Sequence, residues 1–163
     1  NNSYALATTG IKTELIKKVS VDFNELPQFK LTISLHSADD LIRRKIIPIK
    51  LSLHDLKESI DFYKQYSKHN FEWNYVLLKG INDDRESAEK LIQYIDMNDF
   101  VKVSQFNKIE NGCFEPSDNF SKFVSILKEN NVKYKLFESS GQKIGVGCGQ
   151  MLTHYNKTKI KRK

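Results

Sequence analysis

The sequence predicts an α/β fold built on a parallel sheet. Short apolar or β-branched runs alternate with segments whose apolar residues recur at helical spacing, and polar residues punctuate every changeover. A chain of 163 residues, 39% hydrophobic and 28% charged, can bury a core as one domain and is not expected to be disordered. With three prolines, no Gly/Ser linker and no repeat, nothing marks an internal boundary.

The strands are expected at Tyr4–Thr8 and at residues 29–35, 73–78, 101–106 and 132–137, each short and bounded by polar segments. The clearest helix covers residues 53–69. Ser52 and Asp55 form a capping-box-like start, and Leu53, Leu56, Ile60 and Tyr63 share one face. Residues 84–95 follow, with Ala88, Leu91, Ile92 and Ile95 on one face. A third helix is expected at residues 118–129, capped by Ser117, with Phe120, Phe123, Val124 and Leu127 inward. Repeated strand–helix–strand units require right-handed crossovers, hence a parallel sheet with helices outside. Ligands of such sheets gather at the carboxyl ends of the strands, so the segments just after each strand are where chemistry is sought.

Composition narrows the function classes. Lys and Arg outnumber Asp and Glu to leave a net charge of +6, which favours an anionic partner such as nucleic acid. The only cysteines are Cys113 and Cys148, too few for a disulfide scaffold or a paired-cysteine zinc site, so a reducing, cytoplasmic setting is expected. No apolar run approaches the roughly 20 residues a membrane span needs, and Asn1-Asn2-Ser3 does not begin a signal peptide.

Four segments could carry chemistry. Ser34-Leu35-His36 closes the second strand and would put a titratable ring at the sheet's carboxyl edge, or else cap the next helix through its backbone. Asn107 follows the fourth strand, where an amide can donate to and accept from a ligand, or serve an ordinary turn. In the segment 141–150, Gly145, Gly147 and Gly149 bracket Cys148, and glycine lets backbone approach a ligand closely beside the thiol. A tight turn around an inert thiol is the other reading, and the spacing is not a dinucleotide-binding fingerprint. Lys157, Lys159, Lys161, Arg162 and Lys163 could track phosphates or form a solvated end, while Lys12, Lys17, Lys18, Arg43, Arg44 and Lys45 add basic surface.

Taken in order, these pieces resemble the C-terminal half of the radical SAM 23S rRNA adenine-C2 methyltransferases and the related C8-methylating enzymes. The resemblance is carried by Thr8-Thr9-Gly10, by Ile33-Ser34-Leu35-His36-Ser37 with Ile46-Ile47-Pro48-Ile49, by Tyr75-Val76-Leu77-Leu78 with Gly80-Ile81-Asn82-Asp83, and by Cys148-Gly149-Gln150-Met151. It implies that residues 1–150 form the parallel-sheet half of a partial (β/α) radical SAM barrel, followed by a basic tail at 151–163. It further implies that Ser34, Leu35, His36 and Asn107 bind S-adenosylmethionine, and that Cys148 is the catalytic cysteine that becomes S-methylated. In that chemistry a second S-adenosylmethionine, cleaved at a [4Fe-4S] cluster, yields the radical that takes a hydrogen from the methylated cysteine, and the carbon radical adds to adenine. The family's C-x3-C-x2-C cluster motif is absent, so no metal ligand is assigned here and the isolated chain is expected to be inactive. The implied partners are rRNA or tRNA and an N-terminal half of the same protein, whose absence would leave the first strand as an exposed edge; no membrane is implied. Ala7, Ser104-Gln105-Phe106, Phe137 and Lys143 depart from the family's residues at their positions. The alternatives are a non-catalytic RNA-binding module on a degenerate half-barrel and a radical SAM enzyme of another branch.

Overall fold

The structure is a computed structural model, and it describes residues 3–108 and 112–137. The elements run β1 (Tyr4–Thr8), α1 (Thr13–Asp22), β2 (Phe29–Ser34), α2 (Asp40–Ile46), α3 (Leu53–Tyr66), β3 (Phe71–Leu77), α4 (Arg85–Tyr94), β4 (Phe100–Gln105), α5 (Phe120–Glu129) and β5 (Lys133–Phe137). All five strands pair in parallel, in the spatial order of the sequence, β1-β2-β3-β4-β5. Because every crossover moves one strand further in the same direction with the same hand, the helices collect on one face and leave the other open. That geometry is half a barrel, as the resemblance implies.

The two faces read off the registers. One row runs Ile33, Trp73, Val101, Tyr134, and its neighbours Leu31, Tyr75, Leu77 and Val103 also point at the helices. Apart from the half-buried Tyr134, which packs against them, these residues, with Leu56, Ile60, Tyr63, Leu91, Phe123 and Leu127 from the helices, are buried and form a single core. Each such aliphatic side chain contributes about 1.5–3 kcal/mol by leaving water. The opposite row runs Ser34, Asn74, Lys102, Lys135 and is polar, as an interior lined for a ligand requires. At its lower end Glu72 lies buried between Lys30 (3.0 Å) and Lys135 (2.6 Å) and accepts from the Thr32 hydroxyl at 3.2 Å.

The first strand matches the sequence reading at both ends, the other strand and helix ends differ from it by at most three residues, and two helices escaped it. The first, α1, buries only Ile16 and Ser20, so its apolar stripe is too thin to stand out from the lysines around it. The second, α2, is seven residues long and starts at Asp39, whose carboxylate accepts from the amides of Leu41 and Ile42. Ser52 caps α3 through the Asp55 amide, as expected, and Asp84 caps α4 through Ser87. Ser117 does not cap α5. Asn119 holds that position without a side-chain bond, and Ser117 instead accepts from the Asn119 amide and donates to Asp83 at 2.6 Å. Among the described residues no helix is long and apolar enough to cross a membrane.

Candidate functional site

The carboxyl ends of β2, β3 and β4 open into a cavity of about 750 Å3, a volume suited to a nucleoside-sized ligand. Ser34, Asn74, Val76, Lys102, Ser104 and Gln105 line it from the strands, Ile46 from the end of α2, and Thr9, His36, Ile47, Pro48, Asn107 and Phe114 from the loops. Three of the four residues assigned to cofactor binding, Ser34, His36 and Asn107, therefore meet around one cavity. Leu35 faces the other way. Its side chain is fully buried in the core, and its amide bonds to the Asn74 carbonyl at 3.0 Å, so any part in binding falls to its backbone.

His36 is built in from several sides. Its φ of 57° is in the left-handed region, which turns the chain off the end of β2. The parallel ladder stops there, and the Val76 amide of β3 donates to the imidazole Nδ1 at 3.2 Å. The ring thus caps a strand; the cap of the following helix is Asp39. Burial, and then the nearby Arg43 charge, push its pKa down to about 4 against a weaker bond to the Asn74 backbone, so the ring is neutral at pH 7.

Two side chains that the sequence reading passed over hold the site together. Arg43, taken there for surface, is 1% exposed: its Nη2 donates to the carbonyls of Thr9 (2.7 Å) and Ser34 (3.4 Å), tying the ends of β1 and β2. The burial that lowers its pKa does not discharge a guanidinium, so a fixed positive charge lies beneath the strand ends. Asn82 is fully buried, its Nδ2 donating to the carbonyls of His36 (2.6 Å) and Val76 (2.8 Å), and its Oδ1 accepting from the Leu78 amide at 2.7 Å. Gly80-Ile81-Asn82-Asp83 stood out in the sequence only as part of the resemblance; the reach of Asn82 across to β2 was not visible there. Gly80 takes φ 66° in this turn, and its amide is held by Asp83 at 2.8 Å.

The departures from the family pattern also have places. Phe137 borders the cavity, and the Lys102 ammonium sits 3.7 Å from its ring centroid, a cation–π contact that keeps a positive charge on the cavity wall. Ser104 and Gln105 line the same wall, with Gln105 donating to the Ser117 carbonyl at 2.7 Å. Ala7 lies on the exposed β1. Cys148, the glycines around it, Lys143 and the basic tail lie outside the described residues. Cys113 is exposed and free.

S-adenosylmethionine fits this cavity by volume and by its neutral imidazole, hydroxyl and amide lining. An iron–sulfur cluster does not fit the chain, because two cysteines cannot supply three thiolates. The exposed trio His54, Asp55 and Glu58 lies in the first two turns of α3, remote in sequence from any strand end, and Glu58 already faces Lys17 at 3.4 Å.

No protein-family model matches the chain. The probable dual-specificity RNA methyltransferase RlmN of Flavobacterium psychrophilum is 32% identical over 151 residues, covering 90% of this chain and 42% of that protein. Over this segment the chain is homologous to RlmN proteins. It spans less than half the length of that RlmN relative. A radical SAM methyltransferase from Sphaerobacter thermophilus shares the fold with a TM-score of 0.79 at 24% identity, over 90% of this chain and 43% of the other. A domain of a pyruvate-formate lyase-activating enzyme from Bacteroides vulgatus does so with a TM-score of 0.59 at 14% identity, over 83% of this chain and 81% of that one. The α/β half-barrel is thus shared with radical SAM enzymes, as the resemblance implies.

Proposed function

We propose that the chain is the C-terminal part of a radical SAM RNA methyltransferase that transfers a methyl group to an adenine carbon of rRNA, or of tRNA, through Cys148. One observation carries the reading: in a chain homologous to RlmN proteins, Ser34, His36 and Asn107 line one cavity at the carboxyl edge of the sheet. Those three residues would hold S-adenosylmethionine, which when bound supplies the methyl group and the source of the radical. Ser34 and Asn107 offer hydroxyl and amide groups that can both donate and accept, and His36 offers a neutral ring. The apolar wall of Ile46, Ile47, Pro48 and Phe114 would shield one side of the reacting atoms from water. Cys148 would carry the methyl group as a thioether. The cluster ligands would lie in a preceding part of the protein, since this chain cannot provide them. Its positive charge would face RNA phosphates in the cytoplasm, and the exposed Tyr4 and Leu6 of β1 would meet that preceding part.

A non-catalytic RNA-binding module is the second reading, favoured by the absence of cluster ligands in the chain itself. The deciding experiment is intact mass and peptide mapping of the full-length protein purified with cluster and cofactor supplied. A methyl-sized increase on Cys148 supports the methyl-carrier role; a bare thiol there supports the module. Cys148→Ala should abolish methyl transfer while reductive cleavage of S-adenosylmethionine continues, and a variant that still methylates RNA would refute the assignment.

A further inference from the structure

We propose that Asn82 is a positioning residue for the cavity: by clamping the end of β2 to β3 it holds His36 in the tautomer that presents Nε2–H, and no positive charge, to the ligand. The proposal rests on the reading of that ligand as S-adenosylmethionine only where affinity is measured.

The geometry of the amide admits one orientation. Both Nδ2 hydrogens meet carbonyls, those of His36 and Val76, and Oδ1 meets the Leu78 N–H; turning the amide over would set like against like at all three. Asn82 is fully buried, so no water can replace a lost partner. Its own carbonyl accepts from the Tyr75 hydroxyl at 3.1 Å, which fixes the turn to the strand it serves.

What is clamped is a residue in an unfavourable conformation. A non-glycine residue at φ 57° persists only where its surroundings hold it, and the bond from Asn82 falls on the carbonyl of that same residue. With the backbone so held, the ring reaches the Val76 amide through Nδ1. An amide N–H can only donate, so Nδ1 must carry a lone pair and the ring proton must sit on Nε2. The Asn74 backbone also lies beside the ring, but its carbonyl already accepts from the amides of Leu35 (3.0 Å) and His36 (3.4 Å). The charge that acts on the ring is cationic, that of Arg43 on α2, and it opposes a second proton. The ring is left with a fixed donor at Nε2, suited to an acceptor atom of the ligand such as a carboxylate or hydroxyl oxygen or a ring nitrogen.

The test joins a spectroscopic measurement to a double-mutant cycle in the full-length protein. Nitrogen-15 shifts of the His36 ring, without ligand, should show a lone pair at Nδ1 and a proton at Nε2 from pH 8 down to about 5. A ring protonated at Nδ1 would overturn the proposal, whatever the variants do. S-adenosylmethionine affinity should fall about tenfold in Asn82→Asp, which keeps the shape but loses both donors, and in His36→Ala. If Asn82 acts through His36, the combined variant should bind no worse than His36→Ala alone. A combined loss near a hundredfold, the product of the two, would refute the coupling. The expected tautomer together with undiminished affinity in His36→Ala would instead sink the cofactor reading of the cavity while upholding the clamp.

Discussion

Gly10 and Gly80 share a left-handed backbone but not its surroundings, and replacing each by alanine separates two energies. Gly10 stands at φ +80°, and a Cβ built on it falls 2.6 Å from the Leu56 Cδ1 methyl. Leu56 is fully buried, so the methyl can yield only by disturbing the core between α3 and the sheet. Gly80 stands at φ +66° with nothing within 4 Å of its Cβ position. The left-handed backbone costs an alanine about 1–2 kcal/mol at either site. Overpacking adds about 1–3 kcal/mol at Gly10 alone, for a total of about 2–5 kcal/mol. The assay is urea unfolding of the chain, followed by the fluorescence of Trp73, its single tryptophan and fully buried. At a slope of about 2 kcal/mol/M, Gly80→Ala should lower the midpoint by about 0.5–1 M and Gly10→Ala by about 1–2.5 M. Equal shifts, or the larger shift at Gly80, would refute the argument from the Leu56 contact.

Further expectations follow from the buried polar groups. Trp73→Phe removes the indole N–H that donates to Asp99 at 2.8 Å and, since it also removes the fluorophore, should show a cost of about 1–3 kcal/mol in urea unfolding followed by circular dichroism; a change under half a kcal/mol would mean that the bond contributes nothing net. Burial alone would raise the Glu72 pKa, but the bonds from Lys135 and Lys30 outweigh it and hold it below its usual 4.5. Its contribution is therefore complete above that pH and lost as pH falls through the lower folded value, so Glu72→Gln should destabilise the protein at pH 7 and flatten its acid limb. An unchanged acid limb would rule that out. Neutral burial of His36 works in the same direction over a higher range: the unfolded chain takes up the proton first, so stability should fall between pH 6.5 and about 4, by roughly 3 kcal/mol for a shift of this size. Equilibrium unfolding of His36→Gln across that interval should lack this slope. S-adenosylmethionine affinity, read by calorimetry on the full-length protein, should stay level from pH 8 to 6, and a fall centred near 6.5 would show that the ring titrates in the folded state.

Much of the architecture was legible because its signals are local. Each strand core, from Tyr4–Thr8 to Lys133–Phe137, was visible as a short run between polar segments, and α3 was visible from Ser52 and the spacing of Leu53, Leu56, Ile60 and Tyr63. The parallel order then followed from the alternation of elements. Thin or short helices were not legible: α1 buries a serine in its stripe and α2 turns a buried arginine inward, neither of which a hydrophobic pattern registers.

At the site, position along the strands made the Ser34-Leu35-His36 segment and Asn107 candidates, since the carboxyl ends of parallel strands converge by construction, and the resemblance gave them their role. Position could not show that Leu35, between Ser34 and His36, points into the core, because side chains alternate faces and only the register says which face is which. Nor could it show the roles of Asn82 and Arg43. Asn82 donates to a carbonyl 46 residues earlier, and Arg43 to one 34 residues earlier. Periodicity and turn chemistry are properties of neighbours along the chain and are written in the sequence itself. Which buried donor meets which distant carbonyl is decided only when the sheet brings the strand ends together, and from that the state of the His36 ring follows.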